Sequence, residues 1–154
     1  MKRILFSLVL LSSACASKVA IKTPTGFADV TEQSAGGYDY RATSADGVVI
    51  AVKRIEREPR DAEPSFWYQA VENQLRQKGG YARLSSGPVK SADGVEGLQL
   101  VFGHDQNGHP FLYNVAIFLT PKTIVVAEFG GRKDKVDEHA ANLTASLQSL
   151  SVRD

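Results

Sequence analysis

A chain of 154 residues, 43% of them hydrophobic, is long enough to build one globular domain around a core of its own. Its 18 basic residues nearly balance its 17 acidic residues. Because a protein that follows a phosphate backbone needs a basic surplus, this composition argues against nucleic acid as a partner.

The first segment has the layout of an export signal. A short positive region (1–3) precedes an apolar run (4–11), and small residues then lead to Cys15. The run is too short to span a bilayer as a helix, so we predict that residues 1–14 are a cleaved signal peptide. Its two basic residues would leave with it, which lowers the formal net charge from +1 to −1.

Cys15, the only cysteine, lies where a lipoprotein signal peptidase would cut. Leu11-Ser-Ser-Ala14 before it resembles a bacterial lipoprotein signal, although the aliphatic residue lies one place earlier than usual. The resemblance implies acylation of the thiol and of the new amino terminus, and two or more acyl chains anchor a protein stably to a lipid bilayer. The alternative is an ordinary signal peptide cut near Ala14 or Ala16, which leaves a free thiol.

Acylation of Cys15 would also remove the only thiol and attach the protein to a membrane. No thiol would remain for a disulfide, a nucleophile or a metal ligand. The absence of Asp at position 16 resembles lipoproteins that are sent to an outer membrane. We therefore expect a lipid-anchored protein of the cell envelope, on the periplasmic face of the outer membrane if the source is Gram-negative.

Residues 15–23 are predicted to be the lipidated cysteine and a tether, and residues 24–152 a single domain. The first half of that domain is predicted to form three strands and a helix (26–31, 38–43, 48–57 and 64–78). Ser44-Ala-Asp-Gly47 joins the second and third strands, because Asp-Gly favours a tight turn. Pro64 suits the first turn of the helix.

The second half of the domain is predicted to form four strands and a last helix. The strand over 81–90 contains Gly87-Pro88, which places it at an edge or a bulge of the sheet. Ser91-Ala-Asp-Gly94 after it repeats the earlier turn. We expect Asp134 to be the N-cap of the last helix. That helix has an apolar stripe of Val136, Ala140, Leu143, Leu147 and Leu150.

Asn107-Gly108 is the strongest short signal for a two-residue hairpin turn, because both central residues need a positive φ. It joins strands predicted over 95–104 and 111–119. Counting back from the turn makes Phe102 face Tyr113, with the apolar residues of both strands on one side.

The next turn, Pro121-Lys122, raises a conflict over register. A tight two-residue loop would place Glu128, in a strand predicted over 124–129, on the same face as Phe102. Burying an unpaired carboxylate is costly. We therefore expect a three-residue loop or a bulge that turns Glu128 away from that face.

The order of strands, helix, four strands and helix predicts an α+β fold, with one antiparallel sheet of about six or seven strands and two packed helices. Several pieces match a known pattern: Thr25-Gly-Phe27, Asp46-Gly-Val-Val-Ile-Ala-Val52, Phe66-Trp67, Gly80-Tyr81, Tyr113-Asn-Val-Ala-Ile-Phe118 and 124–131. The chain resembles the PsbP-like proteins, whose α/β/α sandwich is shared by a Ran-binding nuclear import factor and by bacterial lipoproteins. Since none of these pieces has a chemical role, the resemblance implies a fold and no site residue.

The densest group of possible metal ligands is His104, Asp105 and His109, around the hairpin turn. Zinc needs three or four converging ligands, and strand alternation sends His104 and Asp105 to opposite faces. We therefore expect a solvated hairpin tip without a metal, and no cofactor. Gly130-Gly131-Arg132 could bind an anion before the last helix, but a strand-to-helix turn is the favoured interpretation. His139 is expected at the border of the last helix's packed stripe.

Phe66-Trp67-Tyr68 places three aromatic residues in a row on one helix. They cannot all face the sheet, because successive helical residues turn by about 100°. Trp67 shares a stripe with Val71 and Leu75 and is expected to be buried, with Tyr68 exposed. Phe66 and Tyr68 are therefore the candidate partner surface.

The favoured function is a membrane-anchored, non-enzymatic binding or assembly domain whose partner is an envelope protein or a small ligand. This follows from the resemblance, since the family members compared are mostly binding or assembly factors. One alternative is a small envelope hydrolase that uses His104 or His109, although no Gly-x-Ser-x-Gly elbow is present. Another is a carrier with a cavity for a lipid or small molecule.

Overall fold

The structure, a computed structural model, describes residues 19–153, so Cys15 and the predicted signal peptide lie outside it. Within that range the elements are β1 (Phe27–Asp29), β2 (Tyr40–Ser44), β3 (Val49–Glu56), α1 (Pro64–Gly79), β4 (Ala82–Lys90), β5 (Glu96–Gln106), β6 (His109–Leu119), β7 (Thr123–Arg132) and α2 (Lys133–Gln148). The strands form one antiparallel sheet in the order β1-β2-β3-β7-β6-β5-β4. The predicted α+β fold is confirmed.

The hairpin between β5 and β6 has the predicted register. Asn107 and Gly108 have φ values of 56° and 78°, the positive values that the tight turn requires. Phe102 pairs with Tyr113, as counted from the turn. The turn chemistry therefore decides which side chains of these strands face α1.

The strand β4 lies at one edge of the sheet, as the Gly87-Pro88 pair predicted. Its pairing with β5 is interrupted by a register shift between Arg83 and Ser85. A bulge of this kind bends an edge strand and interrupts its row of pairing groups.

One face of the sheet is covered by α2, and this face has the larger core. The stripe is confirmed at Val136, Leu143 and Leu147, which are buried, but Ala140 is exposed. The helix is rotated so that Ser146 is buried instead, and its hydroxyl donates to the Lys22 carbonyl at 2.6 Å.

The start of α2 differs from the prediction. Arg132 is its N-cap, without a side-chain hydrogen bond to the helix, because β7 runs directly into the helix. Asp134 lies inside the first turn and pairs with the Arg132 guanidinium at 3.1 Å. A carboxylate in the first turn still favours the helix through its dipole.

The other face carries α1, which packs over β5 and β6. Its contact residues are Trp67, Tyr68, Val71 and Leu75, and they pack against a core of Leu100, Phe102, Val115, Ile117 and Ile124. This helix lies toward the β5 side, so the β2–β3 side of the same face is left open.

The repeated Ser-Ala-Asp-Gly segment forms the same turn twice. The Ser44 hydroxyl accepts a hydrogen bond from Val48 N at 2.9 Å, and the Ser91 hydroxyl accepts one from Val95 N at 3.0 Å. The two aspartates have different partners: Asp46 meets His139 on α2, whereas Asp93 holds residues 151–153.

Candidate functional site

Glu128 lies on the α1 face, so the expectation of a longer loop or a bulge before it is wrong. Thr120 N donates to Thr123 O at 2.9 Å, which closes a tight turn. Glu128 therefore pairs with Val115 and shares the face of the α1 core. Its carboxylate is not unpaired, because the Tyr113 hydroxyl donates to Glu128 Oε2. This hydrogen bond offsets the cost of burial that argued against the register.

A glycine makes room for the tyrosine of this pair. Gly130 lies directly across from Tyr113 in the sheet. A Cβ on Gly130 would lie 2.8 Å from Tyr113 Cδ2 and 2.8 Å from the Leu112 carbonyl oxygen, closer than either contact allows. Gly130 and Gly131 belong to β7, so the predicted strand-to-helix turn at these glycines is wrong, and the strand continues to Arg132.

The two tyrosines beside Glu128 resist ionisation. Burial raises the pKa of Tyr113 well above its ordinary value of 10.0, and the charge of Glu128 raises it further. The charge of Glu128 is the main cause of the raised pKa of Tyr38, followed by burial and a hydrogen bond to the same carboxylate. Both phenols are therefore protonated donors at neutral pH and are poor bases or nucleophiles.

A groove opens beside Glu128, on the part of the sheet that α1 leaves uncovered. Two cavities of about 310 Å³ and 320 Å³ share Tyr38, Tyr113 and Glu128. The first, named the Arg41 compartment, is also lined by Arg41, Val49, Ala51, Tyr81, Phe111 and Gly130. The second, named the aliphatic compartment, is also lined by Lys53, Ile55, Val71, Gln74, Leu75 and Val126. Each volume lies in the range of small-molecule sites.

The sheet register places opposite charges on either side of a small residue in this groove. Arg41 pairs with Ala51 in β3, and Ala51 pairs in turn with Glu128 in β7. Because the side chain of Ala51 is short, the bottom of the groove is deeper between Arg41 and Glu128. The Arg41 guanidinium lies 5.5 Å from the centre of the Tyr38 ring, at a distance typical of a cation–π contact.

The candidate metal ligands lie outside the groove. His104 Nδ1 is 3.4 Å from the Gly80 carbonyl, and its ring lies 5.3 Å from that of Tyr81. Asp105 accepts a hydrogen bond from Gly108 N at 2.9 Å within the turn, and His109 is exposed. Among residues 19–153, no group of three or more His, Cys, Asp or Glu side chains converges as a metal site would require.

His139 lies half-buried at the border of the α2 stripe, as expected, and contacts an aspartate. Its Nε2 is 3.2 Å from both carboxylate oxygens of Asp46, and the Ser44 hydroxyl donates to the same carboxylate. A Ser-His-Asp catalytic group needs the serine on the histidine. Here both residues bind the aspartate, so the arrangement fastens a turn to α2.

The three adjacent aromatics differ in exposure. Phe66 is 52% exposed, whereas Trp67 and Tyr68 are half-buried against the α1 core. The exposed member is therefore Phe66 and not Tyr68, because α1 turns positions 67 and 68 together toward the sheet. Trp67 Nε1 is buried and finds no hydrogen-bond partner in the described part of the chain.

Sequence reasoning missed the groove residues Tyr38, Arg41 and Tyr113. The one available signal was Glu128, whose register conflict marked a polar group on an apolar face. The tyrosine that satisfies this carboxylate lies on another strand, so the local pattern could not show that Glu128 has a partner. An acidic residue that breaks an alternating apolar pattern is thus a signal for a candidate site.

No helix in the described range is long and apolar enough to cross a membrane. No protein-family model and no curated protein sequence matches the chain.

Solved structures do match it. LpqN of Mycobacterium tuberculosis, described as involved in cell envelope biogenesis, has a TM-score of 0.63 at 9% identity, over 87% of this chain and 83% of LpqN. Cyanobacterial PsbP of Synechocystis has a TM-score of 0.59 at 12% identity, over 88% and 86%. PA94 of Pseudomonas aeruginosa, a protein of unknown function, has a TM-score of 0.53 at 12% identity, over 86% of each chain. These similarities show a PsbP-like fold.

Proposed function

We propose that this PsbP-like domain is a lipid-anchored, non-enzymatic binding domain of the cell envelope, and that the groove beside α1 is its binding site. The observation behind the proposal is the half-buried carboxylate of Glu128, which accepts a hydrogen bond from the Tyr113 hydroxyl at the floor of an open groove. A sheet needs no such group for stability, and a polar cluster in a concave apolar surface is typical of ligand sites.

Binding fits the chemistry of the groove better than catalysis. Its lining residues include no serine, threonine, cysteine or histidine. The tyrosines are protonated donors, since their pKa values are raised. The hydrolase alternative depends on His104 or His109, and neither histidine lines the groove. A small ligand, or a partner that inserts a side chain, remains the favoured occupant.

The envelope location is supported by the signal-like segment 1–14, by Cys15, and by the fold shared with an envelope biogenesis protein. Acyl chains on Cys15 would place the domain on a bilayer, at the end of a tether over 15–23. In a Gram-negative source, the position after the cysteine favours the periplasmic face of the outer membrane.

The anchor is tested by Cys15→Ser. We expect this variant to leave the membrane fraction, or to remain as an uncleaved precursor, because the acyl chains cannot be attached. Fractionation and intact-mass measurement separate the two results. A Cys15→Ser protein that is processed and still membrane-bound would overturn the lipoprotein assignment.

The groove is tested by a photo-crosslinking amino acid at Gln74, which lines the aliphatic compartment. Gln77, exposed on the same helix and outside the groove, is the matched control. Irradiation of intact cells should give adducts from position 74 and few from position 77, as read by mass spectrometry. Equal or absent adducts at the two positions would contradict a binding role for the groove.

A further inference from the structure

The Arg41 compartment contains a guanidinium with no acidic ion-pair partner in the part of the chain that the structure describes. Among the ion pairs of residues 19–153, none includes Arg41 or Lys53. By contrast Arg54, on the same strand as Lys53, pairs with Asp39 at 3.2 Å. Lys53 Nζ donates to the Gly36 carbonyl at 3.4 Å. The groove therefore offers two cationic groups to a ligand.

The single acidic group of the groove is already engaged. Glu128 accepts a hydrogen bond from Tyr113 and interacts with Tyr38. The ring of Tyr38 in turn has the Arg41 guanidinium beside it, so that face is not available to a ligand cation. Three tyrosines and a glutamate could in principle form a cage for a cation. Here Arg41 lies beside the Tyr38 ring and Tyr113 donates to the Glu128 carboxylate, so the groove favours an anionic ligand.

The aliphatic compartment continues from this charged end. Its apolar lining consists of Ile55, Val71, Leu75, Val115 and Val126. Ile55 is 45% exposed, so part of this apolar wall is open to solvent. Cationic groups beside an aliphatic wall match a molecule with an anionic head and an apolar tail.

We propose that the groove binds an anionic amphiphile. The head, a carboxylate or a phosphate, lies beside the Arg41 guanidinium, which suits both groups as a bidentate donor. The unbranched tail lies along the aliphatic compartment. This inference rests on the proposed function, because it names the ligand class of the same groove. Glu128 weakens the binding, since its charge repels the head.

The test is an NMR titration of the mature chain from residue 16 onward, which keeps every residue that the structure describes. Decanoate and decyl phosphate are the anionic probes, and decyltrimethylammonium is the cationic probe, all below the concentrations at which they form micelles. Amide shifts of Ala51 and Val126 report on the two compartments. Butyrate tests the tail, because it retains the carboxylate and loses most of the apolar contact.

Substitutions that remove opposite charges should have opposite effects on decanoate. Arg41→Gln should weaken decanoate binding about tenfold or more, since a charge-assisted hydrogen bond is lost. Glu128→Gln should tighten it severalfold. Arg76→Gln removes the same charge as Arg41→Gln from an exposed position on α1 and should change nothing. Denaturant unfolding of each variant checks that the fold is retained.

The comparison of probes identifies the head. A preference for decanoate indicates a free carboxylate, and a preference for decyl phosphate indicates a phosphate head. The proposal is overturned if decyltrimethylammonium binds as tightly as either anion, if Arg41→Gln is neutral, or if no probe moves the groove amides. If position 74 still gives adducts in cells after such a result, the ligand class is wrong and the binding site stands. If crosslinking at position 74 also gives no adducts, both the ligand class and the proposed binding function are wrong.

Discussion

The two faces of the sheet differ in how completely they are covered. Seven strands at a spacing of about 4.8 Å span roughly 29 Å, whereas a helix is about 10 Å wide. One helix therefore cannot cover a face. On the α2 face, the segments before β1 and after α2 complete the cover through Val19, Ile21, Leu150 and Val152. On the α1 face nothing in the described range does so, and the groove with Glu128 is the result. Closure of one face buries the larger core, and the opening on the other leaves the groove that we propose as the binding site.

The largest effect is expected at the centre of the closed face. Leu143 on α2 is fully buried, with an exposure of 0%. Leu143→Ala should lower the free energy of unfolding by about 3 kcal/mol, because it removes buried methyl groups and leaves a cavity. Urea denaturation measures the loss. A change under about 1 kcal/mol would mean that the α2 face is less closed than its burial indicates.

A smaller loss is expected on the open face. Trp67 is only half-buried, so Trp67→Ala should cost about 2 kcal/mol, below the range for a fully buried tryptophan. Phe66→Ala, one position earlier and exposed, is the matched control and should cost under about 0.5 kcal/mol. The same urea measurement serves both. Equal losses for the two variants would mean that a different side of α1 packs against the sheet.

Asp93 tests how the closed face holds its chain end. Its Oδ2 accepts hydrogen bonds from Ser151 Oγ, Val152 N and Arg153 N at 2.8, 2.9 and 2.8 Å. Asp93→Asn should lower the free energy of unfolding by about 1–2 kcal/mol. Asp46→Asn, in the identical turn, is the control and should have a smaller effect, since one histidine replaces these three donors.

The pH dependence of the Asp93 effect has a defined sign. Burial alone would raise the pKa of Asp93, but the hydrogen bonds lower it below its ordinary value of 3.8. The carboxylate therefore stabilises the fold fully above about pH 4, and this contribution is lost as the pH falls through the folded-state pKa. The difference between wild type and Asp93→Asn should shrink below pH 4. A difference that grows in acid would contradict the assigned hydrogen bonds.

The smallest effect on stability at neutral pH is expected at Glu128. Glu128→Gln keeps an acceptor for Tyr113 and should change the free energy of unfolding by less than about 1 kcal/mol at pH 7. It should lower the pKa of Tyr38 toward 10.0, because the Glu128 charge is the main cause of the upward shift. NMR titration of the Tyr38 ring carbon measures this change directly.

The same substitution should alter alkaline unfolding. The pKa values of Tyr38 and Tyr113 are raised in the fold, so their contribution is complete below the ordinary pKa of 10.0 and is lost as the pH rises above it. Glu128→Gln removes part of that upward shift and should make the loss of stability above pH 10 shallower. An unchanged dependence of stability on pH above pH 10 would mean that the Glu128 charge does not affect the ionisation of the two tyrosines.

Local sequence signals predicted the framework well. Asn107-Gly108 determined the register of β5 and β6, because a two-residue turn admits few backbone conformations. Gly87-Pro88 predicted an edge strand, since proline cannot donate to a sheet ladder. The stripe on α2 predicted its buried face except at Ala140, because spacing in sequence defines an apolar stripe but not the exact rotation at which tertiary packing seats the helix.

The sequence by itself therefore determined the elements, the hairpin and the class of the fold, because each depends on residues close together in the chain. The tertiary structure alone decided that Glu128 could lie on an apolar face. The groups that satisfy and flank it are Tyr38 from the segment before β2, Arg41 from β2 and Tyr113 from β6, and only the sheet order brings them together. The cost of partly burying a charge depends on partners that are distant in sequence. The pattern around Glu128 therefore showed an unusual acidic residue but could not identify the residues that contact it.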